Sequence, residues 1–116
     1  MEVKELRIGN YVCFSDSGLT FRVESISAAG LGVSNSDKES WCEIERFEAI
    51  PLTREWLLKF GLVESEKDCR TFFSKGYFKL EFSNGGNSYY KRKFISSVHQ
   101  LQNLYFALNQ QELELL

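Results

Sequence analysis

The segment FISSVHQLQNLYFAL at residues 94–108 constrains the fold of this chain more than any other part of its sequence. Ser97 followed by Gln100 matches a capping box, and Asn109 is suited to a left-handed stop, so a helix is predicted between them. At about 100° per residue, five apolar side chains share one arc of this helix, namely Val98, Leu101, Leu104, Tyr105 and Leu108. The segment therefore predicts a C-terminal helix with one buried face.

A second, shorter helix is predicted at residues 53–60. Thr53 is a suitable N-cap, and Leu52 and Leu57 are spaced to form a hydrophobic staple around it. Gly61 is placed to end the helix in a left-handed conformation. The side chains expected to face the core are Trp56, Leu57 and Phe60.

Between the two helices the apolar period changes to two, which is typical of strands. Apolar and polar residues alternate at positions 78–82, and the Asn-Gly-Gly-Asn run at positions 84–87 supplies a hairpin loop. Strands at positions 70–74 and 88–95 complete a three-stranded antiparallel meander, which the two helices can cover.

The first fifty residues read as short strands with turn-rich connections. Gly30 and Gly32 favour a bend or bulge in the third of them, and Pro51 marks the change to helical structure. The predicted strand segments are 6–14, 21–23, 26–33 and 41–44. Together they predict a bent N-terminal antiparallel sheet or a partial small barrel.

The length of 116 residues is enough for one core without disulfides or metals. We therefore expect a single α+β domain over residues 1–116, with a β-rich half at 1–50 and a helix-meander-helix half at 51–116. Along the chain, the predicted elements are a bent N-terminal sheet, a helix, a three-stranded meander and a C-terminal helix.

Charge and cysteine content exclude several classes of function. A net charge of −2 gives no global attraction for nucleic acid or an anionic membrane, so such a partner needs a local patch. No apolar run could span a bilayer, and charged residues replace the apolar core of a signal peptide at the start, so a cytoplasmic protein is expected. Cys13, Cys42 and Cys69 suit small buried residues better than disulfides or metal ligands, so neither metal nor cofactor is predicted.

Three blocks resemble a group of small uncharacterised proteins of gut anaerobes, often encoded near phage-derived or other mobile genes. The blocks are LRIGNYV at 6–12, IPLTREWLLKFG at 50–61 and VHQLQNLYFAL at 98–108. They extend over most of the chain, so the resemblance concerns the whole domain. It implies membership of a family but no activity, cofactor or site residue.

Beside the core arc of the C-terminal helix runs a second strip at helical spacing, formed by His99, Gln102, Asn103 and Phe106. Amide hydrogen bonds and stacking on this strip could bind a partner or a small ligand. In the alternative interpretation, Gln102 and Asn103 satisfy backbone groups of the neighbouring sheet while Phe106 widens the buried arc.

The run YYKRKF at residues 89–94 combines cations with aromatic side chains. As one strand it places Tyr89, Lys91 and Lys93 on one face, with Arg92 as a further cation, where they could contact phosphates and stack on a base. The alternative is a solvated outer face that protects a sheet edge.

These features predict a small non-enzymatic binding or accessory protein, from a mobile element, that acts through protein contacts or self-association. Leu113, Leu115 and Leu116 are candidate contacts for self-association. A nucleic-acid-binding module using residues 89–94 is the alternative. An enzyme would need His99 beside a cysteine and an orienting group, and no local motif provides that arrangement.

Overall fold

The computed structural model describes residues 3–35, 39–83 and 85–116. The predicted α+β class is confirmed at the level of architecture, because the described residues form two antiparallel five-stranded sheets and a long C-terminal helix.

The first sheet contains strands in the order β4-β3-β2-β1-β5, and short 3-10 helices lie at Val3–Glu5 and Ile44–Arg46. Its strands are β1 Tyr11–Phe14, β2 Thr20–Ile26, β3 Gly30–Ser34, β4 Glu39–Glu43 and β5 Phe47–Ala49. The N-terminal half is therefore an antiparallel sheet in which β4 and β5 form the two edges of the described strands.

Of the predicted bend or bulge near Gly30 and Gly32, the bulge is present, because the β2-β3 register shifts between Val23 and Ser25 and Ser25 pairs with Gly32. Both glycines lie inside β3, and the chain turns before them. A Cβ atom on Gly30 would lie 2.2 Å from the carbonyl oxygen of Cys42 in the neighbouring strand. Glycine at this position therefore permits close approach of β4 and is not required for a turn. The predicted first strand is too long, since Gly9 has φ +98° in a turn before β1.

The second half consists of α1, five strands in the order β10-β9-β8-β7-β6, and α2. Its elements are α1 Arg54–Lys59, β6 Val63–Lys67, β7 Arg70–Lys75, β8 Phe78–Phe82, β9 Ser88–Tyr90, β10 Lys93–Ile95 and α2 Val98–Asn109.

The predicted short helix is confirmed as α1, with its caps. The Trp56 N–H donates to Thr53 Oγ1 at 3.4 Å, and Gly61 has φ +84°. The N–H groups of Gly61 and Leu62 donate to the carbonyls of Leu58 and Leu57, the paired bonds of a Schellman motif. Local sequence signals therefore determine both ends of this helix.

The prediction of a three-stranded meander is wrong, because the sheet has five strands. Strand β6 carries no apolar alternation, and all five of its side chains are exposed at the sheet edge. The predicted strand at 88–95 is two strands, β9 and β10, joined by a tight turn at Lys91 and Arg92 with φ +47° and +72°. Two consecutive residues in this conformation are typical of a type I′ hairpin turn.

Helix α2 begins as predicted, since the Gln100 N–H donates to Ser97 Oγ. Its end differs by one residue, because Asn109 is helical and Gln110 adopts the left-handed conformation at φ +60°. Leu108 was expected in the core but is 49% exposed. The buried face instead includes His99 and Gln102, and Gln102 bonds to Tyr11 at the start of the first sheet.

The core has two clusters, one within the first sheet and one between the second sheet and its helices. Tyr11 and Cys13 of β1 also pack against the second cluster, so β1 joins the two halves. Leu113, predicted as a contact for self-association, is 2% exposed within that cluster. Its side chain is therefore buried in the protein's own core and does not reach a partner. No helix of the described residues is both long enough and apolar enough to cross a membrane.

Candidate functional site

The predicted strip on α2 lies against the chain's own N-terminal segment, which we define as residues 5–11. His99 and Gln102 are only 2% and 1% exposed, while Asn103 and Phe106 are half-buried. His99 and Gln102 are therefore buried within the chain, whereas Asn103 and Phe106 keep part of their surface in solvent. The helical wheel identified the strip, but the N-terminal segment covers it.

The side-chain amide of Gln102 hydrogen-bonds through both its oxygen and its nitrogen to the backbone at the start of β1 and in the turn before it. Its Oε1 accepts the Tyr11 N–H at 2.9 Å, and its Nε2 donates to the Gly9 carbonyl at 2.9 Å. These two backbone groups are thereby satisfied by a side chain, as buried polar groups require. The alternative interpretation, that Gln102 satisfies backbone groups of the neighbouring sheet, describes what this side chain does.

Asn103 anchors the same segment through three contacts. Its Oδ1 accepts from Asn10 Nδ2 and from Arg7 Nη1, both at 2.9 Å, and its Nδ2 donates to the Glu5 carbonyl at 2.8 Å. Asn10 is itself fully buried, and its Oδ1 accepts the Arg7 N–H at 2.7 Å. The turn before β1 is therefore held by a connected network of side-chain amides.

Arg7 completes the network on the solvent side. Its guanidinium carbon lies 4.0 Å from the centre of the Phe106 ring, and it also pairs with the carboxylate of Glu112. A planar guanidinium can stack on an aromatic ring and donate in its own plane at the same time. Phe106 thus serves as a platform for Arg7 inside the chain.

His99 lies at the buried end of the strip. Its Nδ1 is 3.3 Å from Ser97 Oγ, and its Nε2 is 3.5 Å from a carboxylate oxygen of Glu5 without a hydrogen bond. Burial lowers the pKa of His99 below its usual value, although the nearby Glu5 carboxylate acts in the opposite direction. The ring is therefore held as a neutral group near physiological pH.

A depression of about 250 Å³ opens beside His99, and no cysteine lines it. Cys13 is half-buried, and burial followed by the charge of Glu48 raises the pKa of its thiol, which weakens it as a nucleophile. Cys69 is exposed in the turn between β6 and β7, so the prediction that all three cysteines are buried is wrong. Among residues 3–35, 39–83 and 85–116, no group of three metal-ligating side chains comes together.

The second candidate surface is the outer face of the second sheet, the side turned away from the core cluster. Strand pairing places Glu81 opposite Phe72 on one side and opposite Tyr89 on the other. Tyr89 in turn pairs with Phe94 across the β9-β10 hairpin, with ring centres 5.6 Å apart. Aromatic side chains of β7, β9 and β10 therefore share this face with Glu81 of β8.

A cavity of about 580 Å³ lies on this outer face, and we call it the sheet-face cavity. Four aromatic residues, three cations and one carboxylate line it: Phe72, Tyr77, Tyr89, Tyr90, Lys79, Lys91, Arg92 and Glu81. Tyr77 is fully exposed at its rim, and the Lys79 ammonium lies 4.3 Å from the centre of the Phe72 ring. Three cations against one carboxylate make the cavity locally positive on a chain of net charge −2.

Of the four residues predicted to contact nucleic acid, Tyr89, Lys91 and Arg92 line the sheet-face cavity. Lys93 does not, because the turn reverses the chain and Lys93 pairs with Tyr90 on the other side of the hairpin. Lys93 instead borders the depression beside His99. The prediction that Tyr89, Lys91 and Lys93 share one strand face is therefore wrong.

Sequence reasoning missed the other residues of the sheet-face cavity. The alternation at positions 78–82 predicts only that Lys79 and Glu81 share the polar side of a strand, and it singles out neither Tyr77 nor Phe72. The alternation of β8 carried a usable signal, since Lys79 and Glu81 share the side that does not hold Phe78 and Leu80. The register that places Phe72 and Tyr89 on either side of Glu81 had no local signal.

Comparisons with protein-family models, with curated proteins and with solved structures found no match to this chain.

Proposed function

We propose that this protein is a non-enzymatic binding module that takes single-stranded nucleic acid on the outer face of its second sheet. The observation that carries the proposal is the convergence of three cations with the aromatic side chains of Phe72, Tyr77 and Tyr89 on the sheet-face cavity, while the Tyr90 ring stacks on Phe78 on the core side. Positive grooves with aromatic platforms are the usual means of binding single strands. The resemblance of three sequence blocks to proteins encoded near mobile genes supports an accessory role in such an element.

The aromatic side chains supply the stacking surface. Tyr77 has its whole side chain in solvent, and Phe94, next to Tyr89 on the same face, is 51% exposed. An exposed aromatic ring can stack on any base, with a contribution of roughly 1–3 kcal/mol per base. A duplex would hide the faces of its bases from such rings, so the proposal is for a single strand.

The cations supply contacts to phosphate. Lys91 and Arg92 both have positive φ in the turn at the rim of the cavity, where non-glycine residues are unfavourable. Asn-Gly would form the same turn with less strain. The use of two strained cations at this point supports a role for their charges beyond closing the hairpin.

The proposal is tested by fluorescence anisotropy with labelled single-stranded oligonucleotides over a range of salt concentrations. With three phosphate contacts, log K is expected to fall with log salt at a slope of about −2. The double variant Lys91→Ala and Arg92→Ala should bind more weakly and reduce the slope by about 1.4. Lys93→Ala should leave binding almost unchanged, because Lys93 lies outside the cavity.

A matched control removes two exposed cations elsewhere, Arg46→Ala and Lys59→Ala, and so changes the net charge equally. This control should retain nearly all of the binding. Equal losses in the control and in the double variant at Lys91 and Arg92 would mean that binding follows net charge. A salt-independent affinity would also overturn the proposal.

Protein contact through the C-terminal tail is a second candidate function. Leu116 is 93% exposed although its N–H donates to the Lys59 carbonyl, and Leu108 and Leu115 are also exposed. The backbone bond from Leu116 to the end of α1 holds the tail so that Leu115 and Leu116 are presented to solvent, beside Leu108 at the end of α2. Sedimentation analysis at micromolar concentration tests self-association. If the protein is a strict monomer and Leu116→Ser does not change its sedimentation, self-association through the tail is refuted.

A further inference from the structure

Glu81 is the one carboxylate among the eight residues that line the sheet-face cavity. It projects from β8, the middle strand of the sheet, and its cross-strand neighbours on the cavity side are Phe72 and Tyr89. A negative charge between two aromatic side chains repels phosphate. In a surface that binds a polyanion, such a carboxylate is favourable only when its oxygens accept hydrogen bonds from the ligand.

The present partner of Glu81 leaves its oxygens available. The nearest cation is Arg70, whose Nη1 lies 3.6 Å from a Glu81 oxygen, with 67% of the Arg70 side chain and 44% of the Glu81 side chain exposed to solvent. That distance is too long for a hydrogen bond, and exposed ion pairs of this kind contribute little free energy. A ligand with suitable donors can therefore displace Arg70 at small cost.

The position of Glu81 matches the edge of a stacked base. A base lying on the Tyr89 ring presents its edge to the neighbouring strand, about 4.8 Å away, where Glu81 is directly opposite. Single-stranded bases are read along their Watson–Crick edges. Guanine has two adjacent donors there, N1–H and N2–H, which match the two oxygens of a carboxylate. Adenine and cytosine place an acceptor beside their amino group, and uracil has one N–H between two carbonyls.

We infer that Glu81 selects the base, and that the sheet-face cavity prefers guanine carrying a phosphate. This inference rests on the proposed binding of single strands at the same cavity. Lys79, Lys91 and Arg92 would neutralise the phosphates, while the carboxylate of Glu81 accepts from N1–H and N2–H. Glu81 is thus a specificity residue within a surface that otherwise binds any sequence.

The test measures the affinity of the full chain for hexauridylate and for the same hexamer with one guanine, cytosine or adenine at its third position. The guanine hexamer is expected to bind about tenfold more tightly than hexauridylate. The variant Glu81→Gln should lose this preference, because its amide has only one acceptor, and should bind hexauridylate at least as tightly, because the charge that repels phosphate is removed. Glu66→Gln, on the exposed edge strand β6, removes the same charge and should keep the preference.

The outcomes distinguish base selection by Glu81 from the binding of single strands on which it rests. If all four hexamers bind equally, or if Glu81→Gln keeps the guanine preference, base selection by Glu81 is wrong while binding of single strands stands. If no hexamer binds, both fall. Competition with guanosine monophosphate and uridine monophosphate shows whether the guanine belongs to a strand or to a free nucleotide. If guanosine monophosphate binds as tightly as the guanine hexamer, Glu81 selects guanine but the ligand is a mononucleotide.

Discussion

The side-chain oxygen of Gln102 in α2 accepts the backbone N–H of Tyr11, the first residue of β1, at a distance of 2.9 Å. The same amide donates to the Gly9 carbonyl, so one buried side chain satisfies two backbone groups on a different element. Gln102→Met retains the length of the side chain but leaves both groups without a partner. We expect it to lower the free energy of unfolding by about 2–4 kcal/mol.

Urea denaturation measures this difference, with Gln111→Met as the control. Gln111 is exposed just beyond the same helix, so its substitution should change stability by no more than about 0.5 kcal/mol. Similar stabilities of the two variants would show that the contacts of Gln102 add nothing to folding.

Arg7 is expected to contribute more to stability than an ordinary surface arginine. It stacks on Phe106, donates to Asn103 and pairs with Glu112, all in one half-buried arrangement. Arg7→Ala should cost about 1–2 kcal/mol in thermal or urea unfolding. Arg46→Ala, which removes an exposed pair with Asp16, should cost less than about 0.5 kcal/mol. A larger loss for Arg46→Ala would refute this assignment.

The stability of the protein should fall on acidification because of His99. Burial lowers the pKa of His99 in the folded state, whereas the unfolded chain has the ordinary value of about 6.5. The unfolded state therefore binds more protons as pH falls below about 6.5, and each drop in pH favours unfolding until the folded-state pKa is passed. The slope for one proton is at most about 1.4 kcal/mol per pH unit.

His99→Gln should flatten this dependence between pH 7 and 5, as measured by urea unfolding at each pH. Because His99 is the one histidine of the chain, its ring protons also report its pKa directly by nuclear magnetic resonance. A titration midpoint at or above 6.5 would contradict the predicted direction.

Replacing Lys91 and Arg92 in the β9-β10 turn should raise the stability of the protein and weaken its binding of single strands. The double variant Lys91→Asn and Arg92→Gly supplies the residues that a type I′ turn favours, so the free energy of unfolding should rise by about 1 kcal/mol. Its affinity for single strands should fall about tenfold, since two phosphate contacts are lost.

The β6-β7 hairpin offers a matched control, because Asp68 and Cys69 form the same kind of turn at φ +54° and +64°. The double variant Asp68→Asn and Cys69→Gly should stabilise the protein similarly and leave binding intact. Calorimetry and anisotropy on both variants check the pair of expectations. Equal binding by the two variants would remove the functional role of the β9-β10 turn.

The features that sequence predicted correctly depend on neighbouring residues. Thr53, Gly61 and Ser97 act on backbone groups within about one helical turn, so α1 and the start of α2 could be placed. Strand β6 could not be placed from the sequence, because its edge position exposes both faces and its sequence has no apolar period. The β9-β10 turn was missed because neither Lys91 nor Arg92 is a usual turn residue.

The two candidate surfaces depended on contacts that no local pattern reveals. A helical wheel places Gln102 beside the core arc, but only the arrival of Gly9 and Tyr11 makes that position buried. The sheet-face cavity likewise requires the register between β7, β8 and β9. The residue types were visible in the sequence, whereas their convergence is a property of long-range pairing.

The network between the N-terminal segment and α2 also sets the order in which the chain can fold during synthesis. Its hydrogen bonds join residues separated by 91 to 98 positions. While a ribosome is still making the second sheet, the turn at Gly9 has emerged but lacks the side chains that satisfy it. The first sheet can therefore form early, but its first turn becomes rigid only when α2 leaves the exit tunnel. Completion of the last helix is the event that closes the fold.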